Sequence, residues 1–144
     1  MMFLLDSNVV SELRKPPAAR SAARVDSNVW AWSKSVSAES LFLSVISILE
    51  LEIGTLSIAR RDPKQGAVLR SWMDNSVLPS FAGRILPVDI PIALQCATLH
   101  VPNPRSRRDS LIAATALVHG MTVVTRNIRD FEPTGVTLIN PWEA

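Results

Sequence analysis

The segment Phe3-Leu4-Leu5-Asp6-Ser7-Asn8-Val9-Val10-Ser11-Glu12-Leu13 decides how the rest of the chain is read. Three consecutive apolar residues form a short buried strand, because a strand covered on both faces has no need of a polar alternation. The strand stops at an acid, and Ser7 to Leu13 reads as a short helix closed by Pro16-Pro17. The same alternation recurs downstream. Ala18 to Val36 reads as a helix, with Val25, Val29, Trp32 and Val36 on one stripe. Leu41 to Val45 is a second strand, followed by a helix capped at Ser47 and running to Arg61. Pro63 opens another helix, which ends near Ser76, since a missing N–H costs nothing in the first turn. Arg84 to Val88 is a third strand, Pro91 to His100 a helix, and Val101 to Arg108 a proline-broken loop. Asp109 starts a helix that Gly120 terminates. Thr122 to Thr125 and Val136 to Ile139 supply the fourth and fifth strands, separated by the polar turn at Arg126-Asn127. Alternating strands and helices predict an α/β fold, a central parallel sheet of about five strands flanked by helices on both faces. No linker composition interrupts it, so residues 1–144 are expected to form a single domain.

Composition narrows the class. Apolar residues make up 47% of the 144 residues and charged residues 19%, and mean hydropathy is +0.19. A disordered chain needs the opposite balance. The longest near-apolar run, Leu111 to Val118, is far short of the roughly 20 residues a spanning helix requires. Met1 to Leu5 has no basic flank and meets Asp6 at once, unlike a signal peptide. The single cysteine, Cys96, suits a buried thiol in a reducing compartment. The expectation is a soluble cytoplasmic protein. Net charge is only +2, but twelve of the fifteen basic residues are Arg. Arg forks pair with phosphate or carboxylate at two points, which is compatible with an RNA surface or an acidic partner.

Ligands of open parallel sheets sit beyond the carboxyl ends of the strands. Asp6, Asn127 and the helix carrying Glu50 all follow such ends. Each acid also has a structural explanation. Asp6 is a good helix N-cap. Ser47-Ile48-Leu49-Glu50 fits a capping box. Asp109 sits where a helix dipole favours a carboxylate. Glu52 lies about 200° from Glu50 around the helix, so only one of the two can face a shared site. Taken jointly the acids say more. If Asp6, Glu50 and Asp109 meet, like charges ~4 Å apart repel by roughly 4 kcal/mol near a surface. A cation would offset that cost, and oxygen donors without His or Cys select Mg²⁺ or Mn²⁺. Such an ion beside Arg105, Arg107 and Arg108 suits phosphodiester hydrolysis. Other chemistries lack their parts. There is no glycine-rich phosphate loop. The two histidines, His100 and His119, fall at helix C-termini. The second acid of an aspartate-nucleophile phosphatase is Asn8 here.

Four ordered motifs carry a family resemblance. Leu4-Leu5-Asp6-Ser7-Asn8-Val9-Val10-Ser11-Glu12 resembles the opening of PIN-domain toxins of the VapC type. Leu43 to Gly54 is similar to their second acidic motif, with Glu50 at the acid position, and Arg108 to Ala116 to the third. Val123 to Asn127 and Asn140-Pro141-Trp142 resemble the C-terminal part, and Leu78 to Pro87 resembles the FitB-like branch. The resemblance implies a PIN fold, Mg²⁺- or Mn²⁺-dependent endoribonuclease activity on an RNA substrate, a toxin homodimer, and a cognate VapB-like antitoxin that blocks the acidic pocket. It places the catalytic role on Asp6, Glu50, Asp109 and Asn127, with Asp6 and Asp109 as metal ligands. One departure stands out: several members have Asp where this chain has Asn127, and Asp130 is the substitute acid nearest in sequence. Two other readings are a non-catalytic PIN-like module that binds RNA or protein, and a DNA phosphodiesterase.

Overall fold

The computed structural model describes residues 1–15 and 24–143. Strand β1 (Phe3–Leu5) leads through Asp6 into α1 (Ser7–Leu13). Helix α2 (Ser27–Ser35) and one 3-10 turn precede β2 (Leu41–Ser44), which feeds directly into α3 (Val45–Arg61). Helix α4 (Pro63–Trp72) continues through a wide π turn into the short α5 (Leu78–Ser80). Then follow β3 (Ile85–Leu86), α6 (Ile90–Leu99), α7 (Arg107–His119), β4 (Thr122–Val124), α8 (Ile128–Phe131) and β5 (Leu138–Ile139). All pairings are parallel, in the order β3-β2-β1-β4-β5. The expected α/β architecture and its five strands are therefore present.

Alternation along β1 and β4 splits the core into two halves. Phe3, Leu5 and Val124 point to one face, where Val9, Leu43, Leu51, Met73 and Val77 meet them. Leu4 and Val123 point to the other, against Ile112, Ala113, Ala116 and Phe131. Covering both faces explains why β1 and β4 are buried at every position. The stripe on α2 is core, as its spacing suggests: Val29 is fully buried, and Trp32 meets Phe3 edge-on at 5.4 Å.

Several boundaries move, each for a physical reason. The helix expected from Ala18 begins at Ser27, because the Asp26 carboxylate caps it by accepting from the Asn28 and Val29 N–H groups. The expectations at Pro16-Pro17 and for residues 18–23 lie outside the described residues. Ser44, not Ser47, caps α3, and Val45 belongs to the helix rather than the strand. Ser106, not Asp109, opens α7. The helix expected to end near Ser76 runs on to Ser80. Its wide turn, Met73–Val77, comes just before Pro79, which has no N–H to return to the preceding turn. The third strand shrinks to Ile85–Leu86.

Gly66 marks the tightest approach of α4 to α3. A Cβ there would lie 2.4 Å from the Ala59 Cα, which is backbone and cannot swing aside. Gly66→Ala is therefore expected to lower stability by about 2 kcal/mol despite its better helix propensity, read as a depressed thermal midpoint.

Candidate active site

Three chain reversals deliver acids to the carboxyl ends of the central strands. Asp6 follows β1 directly, held by its own N–H donating to the Val124 carbonyl (2.9 Å). It is only 5% exposed. One carboxylate oxygen accepts from the Ser7 N–H (2.8 Å), the expected cap. The other accepts from the Thr125 hydroxyl (2.8 Å) and the Asn8 amide (3.5 Å). Asn8 also donates to Thr125 Oγ1 (3.4 Å) and accepts from the Arg126 N–H (3.4 Å). Asn8 and Thr125 thus brace Asp6 from opposite ends of the sequence. Asn8 lies in the first motif, and its bracing role shows only once β1 and β4 are paired.

Glu50 departs from its capping-box explanation. With Ser44 as the cap, Glu50 falls in the second turn of α3, and the Ser47 hydroxyl instead reaches the Leu5 carbonyl (3.4 Å). Glu50 Oε1 is buried and has no hydrogen-bond partner. A capping role would have satisfied that oxygen, so helix termination does not explain this residue. Its neighbour Glu52 points elsewhere, into a two-point pair with Arg70 (2.6 and 2.9 Å). The expectation that only one of the two acids could face the site holds.

Asp109 occupies the first turn of α7, its N–H on the Ser106 hydroxyl (3.5 Å). A buried polar brace stands behind this turn. His100 bonds the Ser110 hydroxyl (2.9 Å), and Ser110 donates to the Ser106 carbonyl (2.7 Å). Cys96 is buried, as expected, with its thiol on the same hydroxyl (3.4 Å).

The acids sense one another. Burial raises the Glu50 carboxyl to about 7, and the charges of Asp6 and Asp109 push the same way against Arg108. Burial likewise raises Asp109, helped by Asp6 and Asp130. Burial also raises Asp6, although the bonds from Thr125 and Ser7 oppose it, with a further push from Asp130. Asp130, on α8, therefore belongs to the same negative field. From sequence, Asp130 is a candidate to replace the missing fourth acid, although its place before Phe131 also fits a surface turn. Asn127 is exposed and reaches the cluster through its backbone, donating to Thr125 Oγ1 (3.0 Å). The basic run divides its labour: Arg105 Nε ties the Leu99 carbonyl (2.7 Å), whereas Arg108 faces the acids.

The donor set consists of hard oxygens, one of them buried and unsatisfied, in a field that opposes ionisation. That chemistry fits a divalent cation. Among the described residues, no three His, Cys, Asp or Glu side chains already converge into a ready-made cage. Glu50 and Asp109 are both only partly buried.

Against known proteins, the sequence model of the PIN domain matches residues 3–135. The chain belongs to the PIN-domain family. Within it, the chain is 37% identical to a VapC ribonuclease of Sinorhizobium fredii, covering 99% of each protein. It is 38% identical to toxin FitB of Neisseria gonorrhoeae, covering 98% of this chain and 99% of that one. The crystal structure of FitAcB from Neisseria gonorrhoeae superposes with a TM-score of 0.86 at 36% identity, over 99% of this chain and 100% of that chain. The resemblance to the VapC and FitB branch is thereby borne out. VapBC from Salmonella typhimurium, at 21% identity and a TM-score of 0.68, shares the PIN fold.

Proposed function

We propose that this PIN domain is the toxin of a VapBC-type pair, an endoribonuclease that hydrolyses RNA phosphodiesters with Mg²⁺, for which Mn²⁺ can substitute. The observation carrying this reading is the shared field of Asp6, Glu50 and Asp109, with one Glu50 oxygen buried and unpartnered. Asp6 and Asp109 would hold the ion, which when bound supplies a lowered water pKa and neutralises developing phosphorane charge. Glu50, raised to about 7, is suited to take the proton of the attacking water near neutral pH. Asn8 and Thr125 keep Asp6 from turning away. Asn127 orients water or phosphate without adding charge, and Asp130 supplies the negative field that Asn127 lacks. Arg108 offsets charge on the scissile phosphate.

The relatives support the partners of this reading. FitB of Neisseria gonorrhoeae is a toxin, and a toxin-antitoxin complex from Klebsiella pneumoniae shares the fold at 21% identity and a TM-score of 0.63. A cognate VapB-like antitoxin closing the acid cluster, a homodimer of this chain, a single domain over 1–144 and action in the cytoplasm complete the proposal. Among the described residues no helix is long and apolar enough to cross a membrane.

The test compares cleavage of matched single-stranded RNA and DNA with Mg²⁺ present and after chelation. RNA cleavage that stops with EDTA and returns with Mg²⁺ or Mn²⁺ is expected. Cleavage indifferent to EDTA would remove the metal from the reading, and preference for DNA would change the substrate.

A further inference from the structure

The polar brace behind Asp109 runs in one direction, from the end of α6 to the start of α7. His100 is the C-cap of α6, and the Arg105 N–H donates to its Nδ1 (3.3 Å). A ring nitrogen that accepts carries no proton, so the imidazole is neutral and its hydrogen sits on Nε2. That Nε2–H donates to the Ser110 hydroxyl (2.9 Å), which aims its own hydrogen at the Ser106 carbonyl (2.7 Å). Ser106 is the cap whose hydroxyl takes the Asp109 N–H. Moving the ring hydrogen to Nδ1 would set two N–H groups against each other.

Two ordinary explanations of His100 fall short. Attraction to the dipole at the end of α6 needs an imidazolium, which a ring accepting at Nδ1 is not. Helix α7 does not need the ring in order to form. Ser106 caps its start, Gly120 ends it, and Ile112, Ala113 and Ala116 bury its inner face. Arg105 adds a second tie across the same turn, from Nε to the Leu99 carbonyl. This redundancy falls on the turn that presents an acid to the cluster. Asp6 and Asp130 repel the Asp109 carboxylate, so the field pushes this turn outward and a rigid support opposes it.

We propose that His100 is a positioning residue for the divalent ion, holding the first turn of α7, through Ser110 and Ser106, where Asp109 can ligate. The proposal rests on the reading of Asp109 as a ligand given above. A group that supports a metal ligand from behind fixes its direction, and its loss weakens metal affinity by about ten- to a hundredfold. The ring acts through the backbone of the turn, on where Asp109 stands and not on the chemistry.

The test titrates the full chain with Mn²⁺ alone by calorimetry, with no RNA present. Two amides separate the two ends of the ring. In His100→Asn the amide reaches only as far as Nδ1, so the Arg105 bond stays and the Ser110 bond goes. In His100→Gln it reaches to the place of Nε2, which restores the donor to Ser110. The ring borders an open hollow lined by Cys96, Arg107 and Leu111, so neither amide is crowded. His100→Asn should weaken Mn²⁺ binding about tenfold, and His100→Gln should stay within about twofold of the wild type. Ser110→Ala should weaken it as much as His100→Asn, and the double variant no further, because both cut one series. The Mn²⁺ concentration for half-maximal RNA cleavage should rise in step, with the saturated rate close to that of the wild type.

A His100→Asn chain that melts earlier but binds Mn²⁺ like the wild type would make the ring a brace of the fold alone and overturn the proposal. Additive losses in the double variant, or a wild type that takes up no Mn²⁺, would do the same. If His100→Asn does not fold, undiminished Mn²⁺ affinity in Ser110→Ala overturns it unaided. A wild type that binds Mn²⁺ with this dependence on His100 yet leaves RNA intact supports the positioning and counts against the ribonuclease.

Discussion

Asp6→Asn is expected to reduce Mg²⁺-dependent RNA cleavage on the order of a thousandfold, the largest loss from any single substitution here. The amide is isosteric and can still accept from the Ser7 N–H, so α1 keeps its start. Thr125 must reorient its hydroxyl, which already accepts from Asn8 and Asn127, at a cost of about 1 kcal/mol. Against that, one charge leaves a cluster in which Asp6 raises both Glu50 and Asp109. The thermal midpoint should therefore stay near that of the wild type while activity disappears. If Asp6 were only a helix cap, the variant would cleave RNA at close to the wild-type rate, and parallel melts and cleavage assays decide between the two.

Glu50→Gln should split function from stability in opposite directions. Cleavage is expected to fall about a hundredfold, because an amide cannot accept the water's proton. Stability of the metal-free protein should rise. The Glu50 carboxyl titrates near 4.5 when unfolded and near 7 when folded, so the folded state holds the proton more tightly. Its contribution to stability is fully present below the unfolded value and is lost as pH rises through the folded one. Gln does not titrate, so the variant's advantage should open between those values and be complete above about pH 7. Half-burial lets solvent screen the effect, leaving about 1 kcal/mol rather than the several that the bare shift would give. Mg²⁺ should remove most of this advantage by stabilising the wild type more. Denaturant melts across that pH range, with and without Mg²⁺, measure both, and a pH-independent difference between the two proteins would defeat the assignment.

The fold was legible because local chemistry and tertiary burial agree along the central strands. Phe3-Leu4-Leu5 can only be a doubly covered strand, and Gly120, with φ of +66°, ends α7 where its sequence position suggests. Helix starts were harder. Ser44 and Ser47 both precede apolar residues, and the Ser47–Glu50 spacing imitates a cap. What selects Ser44 is that β2 runs into α3 with no loop between them. At α7, Ser106 takes the cap because its hydroxyl lies three residues before the Asp109 N–H. The order of the acids could be read from the chain, but not that their charges would act on one another, which depends on the pairing of β1 with β4. Asp130 was the least legible. It touches none of the other acids through a hydrogen bond, and only its field reaches Asp6 and Asp109.

The placement of β1 between β2 and β4 has a bearing on synthesis. Asp6 and its brace at Thr125 are 119 residues apart in the chain, and β1 likewise waits for β4. So distant a pairing cannot close on the ribosome before both partners have left the exit tunnel. On the ribonuclease reading, cleaving power would arise only after that point, and nascent fragments cut short before β4 would pose no threat to the cell's own messages.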